Sequence, residues 1–465
     1  MNDLPRLALA FLKTVFLDLN EHSPNLKNAN LRNVKYLLKR LQCENSSIFS
    51  KTLPELGKAV ETSLITGTQL IVPQSFAKHW RSSLPAFMYE YFRTLYYDNG
   101  LPVHVLTLSA RKPQDEAYAF WAIRQVTMAF SKCRGLGCQV SDEEALKSFK
   151  SRITTQVEIT APSWLLNQAR RLIKEVMYDE GRLRAELTQW SEDPWGKQGP
   201  GAVAMKEKGL SKWGFRYIPG IDRKLYMFRL NPDNEEFSKS IIYNAPIGVS
   251  KPYSRAVCVP KDFRSPRIIC IEPKEFQFAQ QGIWSTLQLI IEHDPLTRRS
   301  INFRHQEYNA RLCKRDDIAT IDLKDASDMV SLKLCRLLLP KELFALVTRY
   351  RSRKISVAGD LIVPTCFASM GSALCFPIET LVFWAITQSA IHPMDRRLPM
   401  RVFGDDIVVP KGSAMFVTKM LESCGLKVNH NKTCINTPVR ESCGAFTYGG
   451  VDIRITRFKY PACSG

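Results

Sequence analysis

The sequence predicts an α+β protein, and two observations carry that prediction. Helix-spaced apolar positions dominate the first third of the 465 residues. From about Tyr253 to Ile455, short β-branched runs alternate with helical stretches. Hydrophobic residues make up 45% and charged residues 24%, an ordinary globular balance that gives a chain of this length a sizeable core.

The opening stretch "LPRLALAFLKTVFLDLN" carries Arg6, Lys13 and Asp18 among its apolar positions. It reads as an amphipathic helix and lacks the small-residue cleavage site of a signal peptide. "DEAYAFWAIRQVTMAFSKCRG" has an apolar helical face, with Arg124 and Lys132 on other faces. "SWLLNQARRLIKEVMYDEGRLRAELTQW" reads as a second long helix, with Arg170, Arg171 and Lys174 as a solvated cluster. Between Glu192 and Gly209 four glycines and Pro200 break regular structure, and Lys197, Lys206 and Lys208 surround them. That segment is either a linker or a loop that lays backbone against phosphates.

Lysine and arginine number 65 against 45 acids, a net charge of +20 that favours a polyanionic partner, most simply nucleic acid. The 13 cysteines form no paired framework, which fits reduced thiols. Cys133 and Cys138 are a close pair, but no second pair with ligand spacing follows, so they read as unmetallated. No apolar run approaches the length needed to span a bilayer.

Chemistry concentrates after Tyr253. In "AVCVPKDFRSPRIICIEP" two short β runs bracket Lys261, Arg264 and Arg267, a basic hairpin able to clamp a triphosphate or simply to face water. "IATIDL" is a strand with Asp322 near its C-terminal end. The helix after it is capped by Ser327 or Asp328. "FASMGSALCFPIETLVFWAI" places Ser369, Gly371 and Ser372 in a small-residue loop before an apolar helix. The free N–H groups at such a helix start suit a phosphate or a sugar hydroxyl.

"MRVFGDDIVVP" reads as a hairpin with Asp405 and Asp406 at its tip and Gly404 making the tight turn. Two carboxylates so placed repel by roughly 4 kcal/mol at an effective dielectric near 20. They are tolerable in water and useful beneath a divalent cation. With Asp322 beside them they form a three-carboxylate cage, and oxygen-only ligation suits magnesium or manganese. Lys432 follows soon after, either as a surface lysine or as a group able to reach a leaving pyrophosphate.

The order of these pieces is stronger than any one of them. The segments "VPKDFRSPRIICIEP", "TIDLKDASDMVSLKLCRLLLP", "SMGSALCFPIETLVFWAI", "VFGDDIVVP" and "RESCGAFTYGGVDI" resemble the RNA-directed RNA polymerase β subunit (replicase) of the single-stranded RNA bacteriophages, the levivirus family. The resemblance covers Tyr253 to about Lys459. It implies a right-hand polymerase with an antiparallel-sheet palm, helix-rich fingers and N-terminal region, and a short or truncated thumb. The implied divisions are a mostly helical region at 1–160, fingers at 161–315 with the basic hairpin at 255–273, palm at 316–440 with a fingers insertion at about 340–368, and the end of the palm and start of a thumb at 441–465.

The activity implied is template-directed RNA synthesis by two metal ions, Mg2+ or Mn2+. Asp322, Asp405 and Asp406 would be the ligands and Lys432 the general acid. Lys261, Arg264 and Arg267 would face the triphosphate. Asp328, with Ser369 or Ser372, would sense the ribose 2′-hydroxyl, with Gly371 in the same loop. Where the family often has Asn-Gly after "SMG", this chain has Ser372-Ala373. The implied partners are single-stranded RNA template, nascent RNA and NTPs, and by resemblance alone the host elongation factors Tu and Ts and a ribosomal protein, in the cytoplasm of an infected bacterium. A reverse-transcriptase-like polymerase, a non-catalytic palm-like RNA-binding protein and a metal-dependent nuclease are the rival readings.

Overall fold

A computed structural model of the chain describes residues 4–106, 113–132, 140–192, 195–213, 253–261 and 265–458. Cys133 and Cys138, and Arg264 of the basic hairpin, lie outside these residues.

The N-terminal region is built from helices Leu4–His22, Lys27–Glu44, Leu53–Thr66, Tyr89–Leu95 and Pro113–Met128. Leu53–Thr66 shows why they form. Pro54 and Glu55 occupy its first turn, and Gly67 ends it in the left-handed region at φ 68°. Its Leu56, Val60 and Leu64 are fully buried and share a core with Phe120 and Ile123 of Pro113–Met128. That core is completed from the far end of the chain by Val439, Phe446, Tyr448 and Ile453. Residues 4–130 therefore do not form a free-standing unit.

Arg124 marks this junction. The apolar pattern put it away from the core, yet it is 2% exposed. Its Nε donates to Glu61 at 3.0 Å and a terminal nitrogen donates to the Ile453 carbonyl at 2.7 Å. The guanidinium lies 3.5 Å from the Phe446 ring centroid. A buried charge survives only when paired and hydrogen-bonded in this way.

The second helical stretch is interrupted. Helix Ser163–Met177 stops and Ala185–Glu192 resumes after a hairpin of β1 (Tyr178–Asp179) and β2 (Arg182–Leu183). Glu180 and Gly181 at its tip both have positive φ, 48° and 80°, as a two-residue hairpin turn requires. The Gly-Pro-Gly loop wraps a cation: Lys212 Nζ donates to the carbonyls of Gly199, Pro200 and Gly201.

Ten further strands follow among the described residues: β3 (Ser254–Val259), β4 (Arg267–Ile271), β5 (Ile318–Ile321), β6 (Ile355–Val357), β7 (Asp360–Ile362), β8 (Arg401–Phe403), β9 (Asp406–Pro410), β10 (Val439–Ser442), β11 (Ala445–Tyr448) and β12 (Val451–Asp452). They make a sheet of order β4-β3-β6-β7, an antiparallel sheet β5-β9-β8 and a meander β10-β11-β12. Paired backbone hydrogen bonds between Thr320 and Cys434 fasten β5 to the segment leading into β10. Helix Cys375–Ala390 is apolar on all sides because it is buried, with Ile378, Phe383 and Trp384 in the largest core. The fold is α+β, as the sequence predicts.

The helix after β5 differs from expectation. A single short helix, Ala326–Met329, comes first, and Ser331 then caps Leu332–Leu338 by accepting from the Leu334 N–H at 3.0 Å. The cap falls on Ser331, not on Ser327 or Asp328, because Asp325 takes a left-handed conformation at φ 51° and turns the chain one helix earlier.

Removing one partner of the Arg124–Glu61 pair by Arg124→Leu costs about 3–5 kcal/mol, read by denaturant unfolding. The pair also makes the fold acid-sensitive. Burial raises the Glu61 pKa, but Lys58 and Arg124 overcome it and lower it from 4.5 to about 2. A depressed folded pKa gives stability that is complete above 4.5 and lost as pH falls towards 2. Glu61→Gln flattens the stability–pH slope in that window, and an unchanged slope would rule the contribution out.

Candidate active site

The register of the β5-β9-β8 sheet brings distant acids together. Ile321 pairs with Ile407, so Asp322, one residue beyond β5, falls level with Asp406 at the start of β9. Phe403 pairs with Asp406 across a two-residue tip of Gly404 and Asp405. Gly404 is required there. Its φ is 59°, and a Cβ would lie 2.5 Å from the Phe376 ring. Its N–H donates to the Thr380 hydroxyl at 3.1 Å, which anchors the tip on helix Cys375–Ala390.

Behind the acids all is apolar: Ile407, Val408 and Val409 have no exposure, and neither does Ile318. Asp405 is exposed and Asp406 half-buried. Burial and then Asp405 push the Asp406 carboxyl up to about 6, with Glu441 and Asp322 adding to the push against a backbone hydrogen bond from Cys443. Burial and the charge of Asp406 raise the Cys443 thiol, which keeps it an S–H group and not a thiolate. Glu379, 8% exposed beneath the tip, is held well above the usual carboxylate range by burial and by Asp405.

Asp322 is turned towards the extended segment after Gly425, which meets Leu323 in a bridge at Val428. Asn429 Nδ2 donates to one carboxylate oxygen at 2.7 Å and Lys432 Nζ lies 3.4 Å from the other. Burial opposes the Lys432 charge, but Glu441 and Asp322 outweigh it and raise its pKa. Among the described residues, no three His, Cys, Asp or Glu side chains close into a group that could hold a metal ion. The expected three-carboxylate cage is thus an open edge, with Asp322 held back by Asn429 and Lys432. The donors are nonetheless carboxylate oxygens, and Asp405 and Asp322 both raise the proton affinity of Asp406, which suits a hard divalent cation.

The Ser369–Ser372 loop divides its duties. Ser369 hydrogen-bonds the Asp328 carboxylate. Ser372 is buried and donates to Gln280 Oε1 at 3.1 Å, and the Ala373 N–H donates to the same oxygen. Gln280 in turn donates to the Tyr350 carbonyl. Ser372 therefore braces the loop instead of presenting its hydroxyl to a sugar. Gly371 sits at φ 115°, where a Cβ would lie 2.3 Å from the Cys270 carbonyl of β4. Its role is close approach between loop and sheet. Lys261 and Arg267 are both exposed at the loop end of the β3–β4 hairpin.

Asn429, Glu441 and Arg152 are residues that the sequence did not single out. Asn429 lay within the quoted segment around Lys432, and the alternation in "LKVNH" was the signal that it ends an extended run beside β5. Arg152 carries no local signal, because its contact is with Asp328, far along the chain.

Residues 244–461 match the family described as RNA replicase, beta-chain. Relatives include the RNA-directed RNA polymerase subunit beta of Qbeta virus (strain MX1), 34% identical over 216 residues, which covers 45% of this chain and 36% of that one. The subunit of Enterobacteria phage SP is 35% identical over 206 residues, 43% and 35% of the two chains. The RNA-directed RNA polymerase beta chain of Escherichia phage MS2 is 33% identical over 207 residues, 44% and 37%. The chain thus spans little more than a third of the length of these relatives. A solved BmCPV RNA-dependent RNA polymerase at its elongation state aligns with 87% of this chain and 41% of that one, at 12% identity and a TM-score of 0.47. That of a human picobirnavirus aligns with 69% and 66%, at 14% identity and a TM-score of 0.44. The strands that build the acidic edge lie within the residues that match the RNA replicase, beta-chain family.

Gly371→Ala forces a side chain into a left-handed backbone and against the Cys270 carbonyl. The strain alone costs about 1–3 kcal/mol. A lowered melting temperature measures it, and an alanine variant as stable as the parent would show that the loop does not need the close approach.

Proposed function

We propose that the chain catalyses template-directed RNA synthesis as an RNA-directed RNA polymerase of an RNA phage. The carrying observation is the level placement of Asp322 and Asp406, brought together by strand pairing from 84 positions apart, inside the family-matched residues. In this reading β5-β9-β8 is the palm floor, within a palm at 316–440, and the β3–β4 hairpin belongs to the fingers.

Asp322, Asp405 and Asp406 would hold divalent metal, Mg2+ in the first instance. Bound metal supplies an activated 3′-hydroxyl and charge neutralisation at the transferred phosphoryl group. The chain's own residues do the rest. Asn429 orients the Asp322 carboxylate. Lys432 stays protonated beside Glu441 and Asp322 and supplies a proton near the leaving pyrophosphate. Lys261, Arg264 and Arg267 offset triphosphate charge. Asp328, with Ser369 on its carboxylate, meets the ribose hydroxyls. The +20 charge holds template and product backbone in a salt-dependent manner.

No helix among the described residues is long and apolar enough to cross a membrane. The proposed setting is the cytoplasm of the infected host, where the chain would act as one subunit of a larger complex. Host translation factors and a ribosomal protein are proposed as its companions on family likeness alone.

Purified protein with a primed RNA, NTPs and Mg2+ gives extended product in this reading. Asp405→Asn lowers the extension rate at least about a hundredfold, as loss of one transition-state charge contact does, while RNA affinity stays within about twofold. Equal extension by wild type and Asp405→Asn would overturn the proposal. Shortened RNA in the absence of NTPs would support a nuclease instead.

A further inference from the structure

Resting on the polymerase reading above, and on Asp328 as the ribose contact, we propose that Arg152 is the positioning residue that sets sugar selectivity. It does so by fixing the Asp328 carboxylate. Arg152 lies outside residues 244–461, so the matched region does not contain everything its nucleotide site needs.

Arg152 sits near the end of helix Asp142–Thr154. Its Nε donates to Asp328 Oδ2 at 3.0 Å, and a terminal nitrogen lies 3.6 Å from Asp325. The Asp328 side chain is only 10% exposed and that of Arg152 23%, so the pair is largely shielded from water. In such surroundings a charge-assisted hydrogen bond holds direction more firmly than at a surface. Burial raises the Asp328 pKa, and Arg152 is the first group that opposes this and favours its charged form.

The helix that carries Arg152 is itself fixed. Phe149 and Ile153, on either side of Arg152, are buried in a core with Ala256 and Cys270 of the β3–β4 hairpin and with Ile355 and Val357 of β6. The Ile153 carbonyl accepts from the Thr365 N–H at 2.8 Å, four residues before Ser369. Arg152, Asp328 and Ser369 are thus held by one rigid group of elements. Arg152 also lines a cavity of about 850 Å3, together with Lys147, Asp325, Met329 and Lys427. Asp328 accepts from Arg152 on one side and Ser369 on another. With both in place the carboxylate has one orientation in which to accept from a ribose hydroxyl. Without the guanidinium it loses that orientation. A sugar lacking the 2′-hydroxyl loses nothing by comparison.

The test uses the full chain, a primed RNA and Mg2+, and compares single incorporation of an NTP with that of its 2′-deoxy counterpart. Arg152→Met lowers the ratio of the two kcat/KM values about tenfold, mainly through the KM for the NTP. Arg152→Lys keeps the charge without the fork and falls between. Arg152→Met adds nothing in an Asp328→Asn background, because the arginine acts through that carboxylate. Lys150→Met, on the same helix as Arg152, removes an exposed ion pair to Asp360 of β7 and leaves the ratio at the wild-type value. A merely structural role would lower the melting temperature and leave the ratio alone. Either Arg152 variant with a wild-type ratio, or additive losses in the double variant, overturns the inference. If the methionine variant fails to fold, the lysine variant decides. A wild type that incorporates neither nucleotide overturns the polymerase reading itself, a result distinct from an active enzyme indifferent to Arg152.

Discussion

Repulsion between carboxylates at the edge of one small sheet is the constraint around which this molecule is organised. Antiparallel pairing of β5 with β9 makes Asp322 and Asp406 neighbours, and the two-residue tip adds Asp405. The strands that hold them are fully buried behind the acids, so water screens the charges from one side only. The fold answers with donors drawn from elsewhere. Asn429 and Lys432 face Asp322, the Cys443 N–H faces Asp406, and Glu379 beneath is kept in its neutral form. An edge so loaded is costly without a cation and well suited to one.

A second principle is the separation of bracing from contact. Within four residues of one loop, Ser369 turns to Asp328, Gly371 lets the chain touch β4, and Ser372 is tied to Gln280. These residues share a composition typical of ligand loops. Their hydrogen bonds distinguish them. The same holds for the Gly-Pro-Gly segment, whose carbonyls converge on Lys212 and whose glycines therefore serve an internal cation.

Those cases show which features were legible in the sequence. The strands β5, β8 and β9 were readable because their β-branched runs are local, and Gly404 because a tight turn is local too. The order of acids, loop and basic hairpin pointed to their convergence, since each lies at an element's end. Arg124 and Arg152 were not readable. Helical spacing places a side chain on a face, but the partner of that face is decided 329 and 176 residues away, at Ile453 and Asp328. The β1–β2 hairpin hid inside a helical pattern because Glu180 adopts a conformation that its residue type seldom takes. Ser331 was missed as a cap because the turn at Asp325 shifts where the helix begins.

The shared core of the N-terminal helices and the β10–β12 meander has a consequence for how the protein is made. A ribosome delivers Phe120 and Arg124 long before Phe446, Tyr448 and Ile453 emerge to cover them. During that interval the early helices must wait with an unsealed apolar face and an arginine lacking its carbonyl partner. The later meander closes the earlier helices, after the acidic strands between them in sequence have already been delivered.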